Sequence, residues 1–515
     1  MMAEDHWQPA RLIPTSGISG QDEAERRATS ALLSVIGAVR EFGAVIVRPL
    51  GAPAGHIDSY IEVPFKLGDR EVIPDGILQT ARGSRAWTAV IEVKTGSAEL
   101  RHDQIESYLD LAREQGFDVV LTISNQIAPA PGVHPVTVDK RKLRKVALAH
   151  LSWAEILTFA VTQRVHRGVS DPDQAWILGE LIRYLEHPKS GALDFADMGT
   201  AWVPTREAVL AGTLRAGDQG LAQVVSRWEQ LLRFAALRLG RELGAQVHVV
   251  LSRKESADPS LLLAAQAQSL VTNGTLTGEL RISDTVAPLG VTADLRAGRV
   301  TVSVDIDAPR EGRPATRVNW LLRQLSEAPD NVRIDAFANG SRGSTSELLH
   351  AVRANPKVLI EDPTHELRMF RISAMSPMGT KRLTGRGSFI DSVLATIDGF
   401  YAQVLQQVRS WTPHAPQLPK SGKTAAEEAG LDLAPPPGDL LEDTTDGMTT
   451  FPTAGEADDV ATEPSLLAAS PEADQGGSPL DGAALVTWDD AHERLDYERT
   501  RMSVASAPTS RHLAG

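Results

Sequence analysis

The stretch from residue 71 to residue 95 constrains this chain more than any other, because it reads as two strands joined by a tight turn. Residues 71–79 predict one strand, Ala81-Arg82-Gly83-Ser84-Arg85 supplies turn residues, and residues 87–95 (WTAVIEVKT) predict a second strand rich in apolar and β-branched side chains. Side chains two apart on a strand share a face. Val90, Glu92 and Lys94 therefore point one way, and Ala89, Ile91, Val93 and Thr95 the other. With the turn centred near Gly83, pairing brings Asp75 of Pro74-Asp75-Gly76 level with Glu92 and Lys94. Three ionisable groups then share one apolar neighbourhood.

Two carboxylates beside an ammonium suit a particular chemistry. A phosphodiester resists hydrolysis because the attacking oxygen meets an anion and the leaving oxygen departs with charge; a divalent ion relieves both problems. Mg²⁺ prefers hard oxygen ligands, typically one or two carboxylates with waters and the phosphate. Asp75 and Glu92 are the candidate carboxylate ligands, the Val93 carbonyl is a third donor, and Mn²⁺ is an acceptable substitute for Mg²⁺. Lys94, a compact point charge, would orient the attacking water or offset charge growing on the phosphorane.

Asp75, followed after a hairpin by Glu92-Val93-Lys94, resembles the signature of the PD-(D/E)XK nuclease superfamily. The segments that follow extend the likeness. Residues 99–115 (ELRHDQIESYLDLAREQ) carry Leu100, Ile105, Tyr108, Leu109 and Ala112 at helical spacing, and Gln104-x-x-x-Tyr108 is similar to a motif of the RecB-like branch. Residues 117–124 predict the next strand, and His150-Leu151-Ser152-Trp153 leads into a helix. The resemblance covers residues 20–165. It implies an α/β fold, a restriction-endonuclease-like mixed sheet flanked by helices, and a Mg²⁺-dependent deoxyribonuclease in bacterial DNA repair or defence. It also implies that Gln104 and Tyr108 lie near nucleic acid, and that the first helix supplies an acid. Residues 22–42 predict that helix, with Ala28, Leu32, Val35 and Val39 on one face, and a step back of one turn selects Glu25, with Glu23 as second choice. A glutamate in a first turn also suits a helix N-terminus for structural reasons.

Charge must be divided by region before it is read. Residues 413–515 hold 19 of the 66 Asp and Glu and 6 of the 52 Lys and Arg, a net of −13; the remainder, 47 acids against 46 bases, carries −1. An acidic total therefore does not oppose a polyanionic partner, since association depends on local patches. Lys140, Arg141, Lys142, Arg144 and Lys145 form one such patch after a strand-like run, Val136-Thr137-Val138, and are candidate nucleic-acid contacts; a solvated basic loop is the alternative. The absence of cysteine excludes disulfides and Cys-ligated metal centres and fits a reducing cytoplasm. No apolar run approaches the roughly 18 residues of a membrane span, so a membrane partner is not expected.

The sequence divides into a flexible N-terminus (1–19), the nuclease-like domain (20–165), a helical bridge (166–205), an α+β domain of unassigned role (206–412) and an acidic, proline-rich disordered tail (413–515). In the α+β domain, strands are predicted at 246–251, 278–282, 290–294, 300–306, 332–337 and 367–372, and helices at 221–243, 317–325 and 388–411. Asp305-Ile306-Asp307 reads as a solvent border rather than a metal site, and 340–345 as a loop without the lysine of a P-loop. The expected partners are nucleic acid, DNA above RNA, a second copy of the chain, and a protein bound through the C-terminal domain or the tail. The alternative from another class is a catalytically silent nuclease-fold protein that binds nucleic acid or regulates a stress response.

Overall fold

The computed structural model describes residues 8–9, 21–128, 133–187, 189–192 and 194–413; the expectations for 1–19 and for the tail lie almost wholly outside them. After β1 (Gln8–Pro9), the single helix expected over 22–42 is two, α1 (Gln21–Ala38) and α2 (Arg40–Val47). The break falls at Val39, whose backbone is extended (φ −100°, ψ 97°). Gly43 makes the sharp return feasible, since a Cβ there would stand 2.2 Å from the Ile36 carbonyl oxygen. β2 (Ile57–Ile61) is followed by a two-stranded ribbon, β3 (Phe65–Leu67) and β4 (Arg70–Val72).

The strand expected over 71–79 is also interrupted. Pro74 has no N–H to give a ladder, so β4 stops before it, and β5 (Gly76–Arg82) starts after Asp75. β5 pairs with β6 (Arg85–Val93) from Gly76 opposite Ile91 to Arg82 opposite Arg85, around Gly83 in the left-handed region (φ 61°). Asp75 thus emerges at the open end of the hairpin, level with the end of β6. α3 (His102–Gln115) closes on Gly116 (φ 71°) and leads to β7 (Val119–Ser124), parallel to β6. Val136-Thr137-Val138 is irregular rather than a strand, and the basic segment after it is a 3-10 turn, Lys140–Arg144. β8 (Ala147–Ser152) runs parallel to β7 and enters α4 (Trp153–Val161) through a capping box, Ser152 with Glu155. α5 (Pro172–Glu186) starts on Asp171, with Pro172 in its first turn.

These strands form one mixed sheet in the order β1-β2-β5-β6-β7-β8. Strand alternation divides its two faces between separate cores. Ala89, Ile91, Val93 and Leu121 pack with Leu32, Ile36 and Phe42 of the first two helices, whereas Val90, Val120 and Leu148 pack with Ile105, Tyr108 and Leu109 of α3. Each fully enclosed Leu, Ile or Val contributes about 1.5–3 kcal/mol relative to exposure.

The second sheet follows α6 (Trp202–Leu210) and the long α7 (Gln219–Leu243). After β9 (Val247–Val249), α8 (Arg253–Ala257) and α9 (Pro259–Asn273) come β10 (Thr275–Ile282), β11 (Leu289–Asp294), β12 (Arg299–Asp307) and α10 (Pro314–Gln324). β13 (Arg333–Ala338), β14 (Thr345–Leu348), α11 (Leu349–Ala354), β15 (Leu367–Pro377) and α12 (Phe389–Gln403) complete it. The order is β14-β13-β15-β12-β11-β10-β9, antiparallel throughout. One face buries Val300, Val302, Val304 and Ile372 with Trp228, Leu232 and Phe389 of the helices. α4 and α7 pack together, and Arg233 Nη2 reaches Glu155 Oε1 at 3.3 Å. The architecture is mixed α/β, and among the described residues no single helix is long and apolar enough to cross a membrane.

Candidate active site

Asp75 is half-buried, and its Oδ2 accepts a hydrogen bond from the Val93 backbone N–H at 2.7 Å. That bond fixes the carboxylate across the end of the hairpin. Glu92 is 1% exposed, and neither carboxylate oxygen accepts a hydrogen bond of normal geometry, although Oε1 lies 2.6 Å from the Lys94 ammonium as an ion pair. Lys94 Nζ also donates to Glu25 Oε1 at 2.8 Å and to its neighbour's carbonyl, Val93 O, at 3.2 Å. Glu25 therefore meets the site from the first turns of α1. Glu23, the second choice, instead faces Arg27 at 4.0 Å.

The backbone of Lys94 is held on both sides. Its N–H donates to Ile123 O at 2.7 Å, and its carbonyl accepts from Trp153 Nε1 at 2.9 Å. The indole is itself fixed by its place at the start of α4, buried to 1% exposure. Nothing in the local pattern around Trp153 pointed to this task, because the contact spans 59 positions.

Three carboxylates surround one ammonium, and their protonation reflects that imbalance. Burial, then the charge of Glu92, pushes Asp75 well above the ordinary carboxylate range. Glu92 is raised as well, by burial, with Lys94 opposing. For Lys94 burial alone favours the neutral amine, but Glu92, Glu25 and Asp75 outweigh it and the net shift is upward. A cation placed here would relieve the carboxylates in the way that their present ammonium does only in part.

Tyr108 and Gln104 adjoin this cluster rather than an open surface. Tyr108 is 3% exposed and packs in the α3 core, while its hydroxyl accepts from Gln104 Nε2 at 3.0 Å. Burial, then the Glu92 charge, raises its pKa. Its ring is a wall of the site, and half-buried Gln104 stands at the rim.

The basic segment divides. Arg141 is paired with Asp139 at 2.9 Å, and Lys142 with Asp110 at 2.6 Å and Glu106 at 3.2 Å. Lys140, Arg144 and Lys145 are exposed and have no ion-pair partner among the described residues. Elsewhere, Asp305 is bound at both oxygens by Arg371 (2.7 and 2.8 Å), and 340–345 spans the turn between β13 and β14.

One cluster was not read from the sequence. Thr122 neighbours Glu92 in register and His150 neighbours Thr122, so all three lie side by side on one face of the sheet. Thr122 Oγ1 stands 2.8 Å from both His134 Nε2 and His150 Nδ1. His134 Nδ1 lies 3.0 Å from both the backbone N and the carbonyl oxygen of Val136, and its Nε2 faces Thr122. His150 Nε2 lies 2.7 Å from the Gln126 carbonyl and must donate, so its Nδ1 accepts the threonine proton. Both rings are neutral in this chain of bonds, and burial depresses their pKa values to about 4 for His134 and about 3 for His150. The signal was inaccessible because the two histidines meet only through folding.

Among the described residues no group of three or more His, Cys, Asp and Glu side chains forms a ready-made metal cage. A Mg²⁺ site needs less than that, one or two carboxylates with waters and substrate oxygens completing the shell. Half-buried Asp75 beside the buried Glu92 carboxylate, whose partner is the Lys94 ammonium, supplies the donor set for such an ion. No protein-family model, curated protein or solved structure matches this chain.

Proposed function

We propose that this chain is a metal-dependent nuclease, a phosphodiester hydrolase acting on DNA, with a restriction-endonuclease-like arrangement of its first sheet. The observation that carries the reading is the meeting of Asp75, Glu92, Lys94 and Glu25 at the end of β6, with both Glu92 oxygens buried and without normal hydrogen bonds. The mixed sheet between α1 and α3, and the Gln104–Tyr108 pair against the site, also support it. Asp75, Glu92 and the Val93 carbonyl would hold Mg²⁺ or Mn²⁺. A bound ion supplies positive charge against the phosphate and a source of hydroxide near neutral pH.

The protein's own groups define the rest. Asp75 keeps its orientation through the Val93 N–H, which commits one oxygen and leaves the other for a ligand. Lys94 is held by Glu25, so its ammonium stays at the edge of the carboxylate pair, where it orients a water or offsets charge on the phosphorane. Tyr108 and the apolar α3 core keep bulk water from Glu92. Lys140, Arg144 and Lys145 are available for backbone phosphates. By the resemblance in its motifs, the setting is bacterial DNA repair or defence.

One observation favours a second reading. The Lys94 ammonium already touches Glu25, Glu92 and the Val93 carbonyl, as a structural ion-pair cluster in a silent, nucleic-acid-binding protein would have it. Calorimetric titration with Mg²⁺ and Mn²⁺ separates the two. The enzyme reading predicts saturable binding that Glu92→Gln and Asp75→Asn each weaken at least tenfold; no binding in the presence of DNA favours the silent protein.

A further inference from the structure

A cleft lies at the other end of the same sheet. α1 and α2 meet at a bend of 108°, and the loop through Pro53 to His56, with the tip of the β5–β6 hairpin, closes the opposite side. Between them is a cleft of about 710 Å³, within the size range of small-molecule sites. It is far from the carboxylates: Arg82 is six residues along β5 from Gly76, about 20 Å at roughly 3.3 Å per residue.

The lining has two kinds of surface. Ala38, Ala44, Pro53 and Ala54 present accessible apolar surface over the buried Ile36, Val47 and Ile57, and Arg40, Arg48 and Arg82 are exposed at its edges. None of the three arginines has an ion-pair partner among the described residues, and no carboxylate lines the cleft. Two flanking acids have partners of their own: Asp58 lies 3.4 Å from His56, itself part of the lining, and Glu41 accepts from the Ser170 N–H at 3.0 Å, the main cause of its lowered pKa, to which Arg40 also contributes. Three guanidiniums around a cleft whose own lining holds no carboxylate raise the local potential and attract anions. Guanidiniums favour phosphate through paired N–H donors, and apolar lining suits a base.

We propose that this cleft binds a phosphate-bearing ligand of nucleotide size, with the arginines on the phosphate and the apolar lining against the base. The phosphate can belong to a free nucleotide or to the end of a nucleic-acid strand, and both present the same chemistry. This inference does not rest on the hydrolytic reading of the Asp75 site.

The test is calorimetric titration of the full chain, in EDTA and low salt, with inorganic phosphate, AMP and a short 5′-phosphorylated oligodeoxynucleotide. The expected result is binding of AMP, weakened at least tenfold by the double substitution Arg40→Ala and Arg82→Ala and by raised salt, and unchanged by Asp75→Asn. Oligonucleotide binding that needs the same arginines, without AMP binding, assigns the phosphate to a strand and also supports the site. No binding of any probe, or binding that the double variant retains, overturns the proposal; a thermal melt matching wild type confirms that the variant is folded.

Discussion

Asp75 and Glu229 are both carboxylates whose protonated forms the fold favours, and each gives a test with a definite sign. A carboxyl raised above its unfolded value stabilises the fold fully below the unfolded pKa, and that contribution is lost as pH rises through the folded pKa. Asp75→Asn should therefore raise the thermal midpoint of the metal-free protein, more at pH 8 than at pH 4, while removing metal binding. A midpoint that falls at both pH values would mean that the Val93 hydrogen bond outweighs the burial of charge. Glu229, 2% exposed on α7, is pushed up to about 8 from an ordinary value of 4.5, by burial and then by Glu255. Glu229→Gln should stabilise the protein progressively between those two values, by up to roughly 5 kcal/mol at full effect. Melting curves across that range check it, and a pH-independent shift would contradict it. The meeting of Asp75, Glu92 and Lys94 was legible in the sequence because Glu92-x-Lys94 lies at the end of one strand and Asp75 is bound to it through a short hairpin. Glu25 was legible through one helical turn. The tasks of Trp153 and Thr122 were not, since their partners lie 59 and 28 positions away.

At the scale of elements, the ends of strands carry the site, and their neighbours hold them in place. Thr122 joins His134 and His150 through hydrogen bonds beside Glu92. Thr122→Val leaves two ring nitrogens facing a methyl group, at a cost of roughly 1–3 kcal/mol for each buried orphan. Denaturant unfolding measures this, and a loss below about 1 kcal/mol would mean that the histidines find other partners. The same histidines give acid sensitivity. Their folded pKa values lie below the usual 6.5, so stability present above that value declines as pH falls toward 4 and 3. The Ser152 cap at α4 is a local contribution, and Ser152→Ala should cost about 1 kcal/mol. Sequence patterns located α3 and α7 because each repeats over its own length, and β7 because it is rich in β-branched residues; β8 (Ala147–Ser152) was expected only through the family resemblance, from His150 on. They merged α1 with α2, because apolar residues continue across Val39 and no proline marks the break. They missed α9, where apolar residues are spread around the helix rather than gathered on one side, and β14, which is four residues long.

For the whole molecule, the arrangement is one mixed sheet carrying the carboxylates and one antiparallel sheet packed to it through α4 and α7. Arg233 and Glu155 join the two across that contact, with both side chains largely buried. The central claim concerns the first sheet: that Asp75, Glu92 and Lys94 cut phosphodiesters with a divalent ion. The measurement that tests it most directly is Mg²⁺- and Mn²⁺-dependent cleavage of linear, circular and single-stranded DNA, and of RNA, by wild type beside Asp75→Ala and Lys94→Ala. The account predicts cutting of DNA by wild type and a loss of at least about 100-fold in each variant, the scale of removing one group that meets transition-state charge. Wild type that binds DNA with the metal present and never cuts it, or variants that cut as fast as wild type, would contradict it.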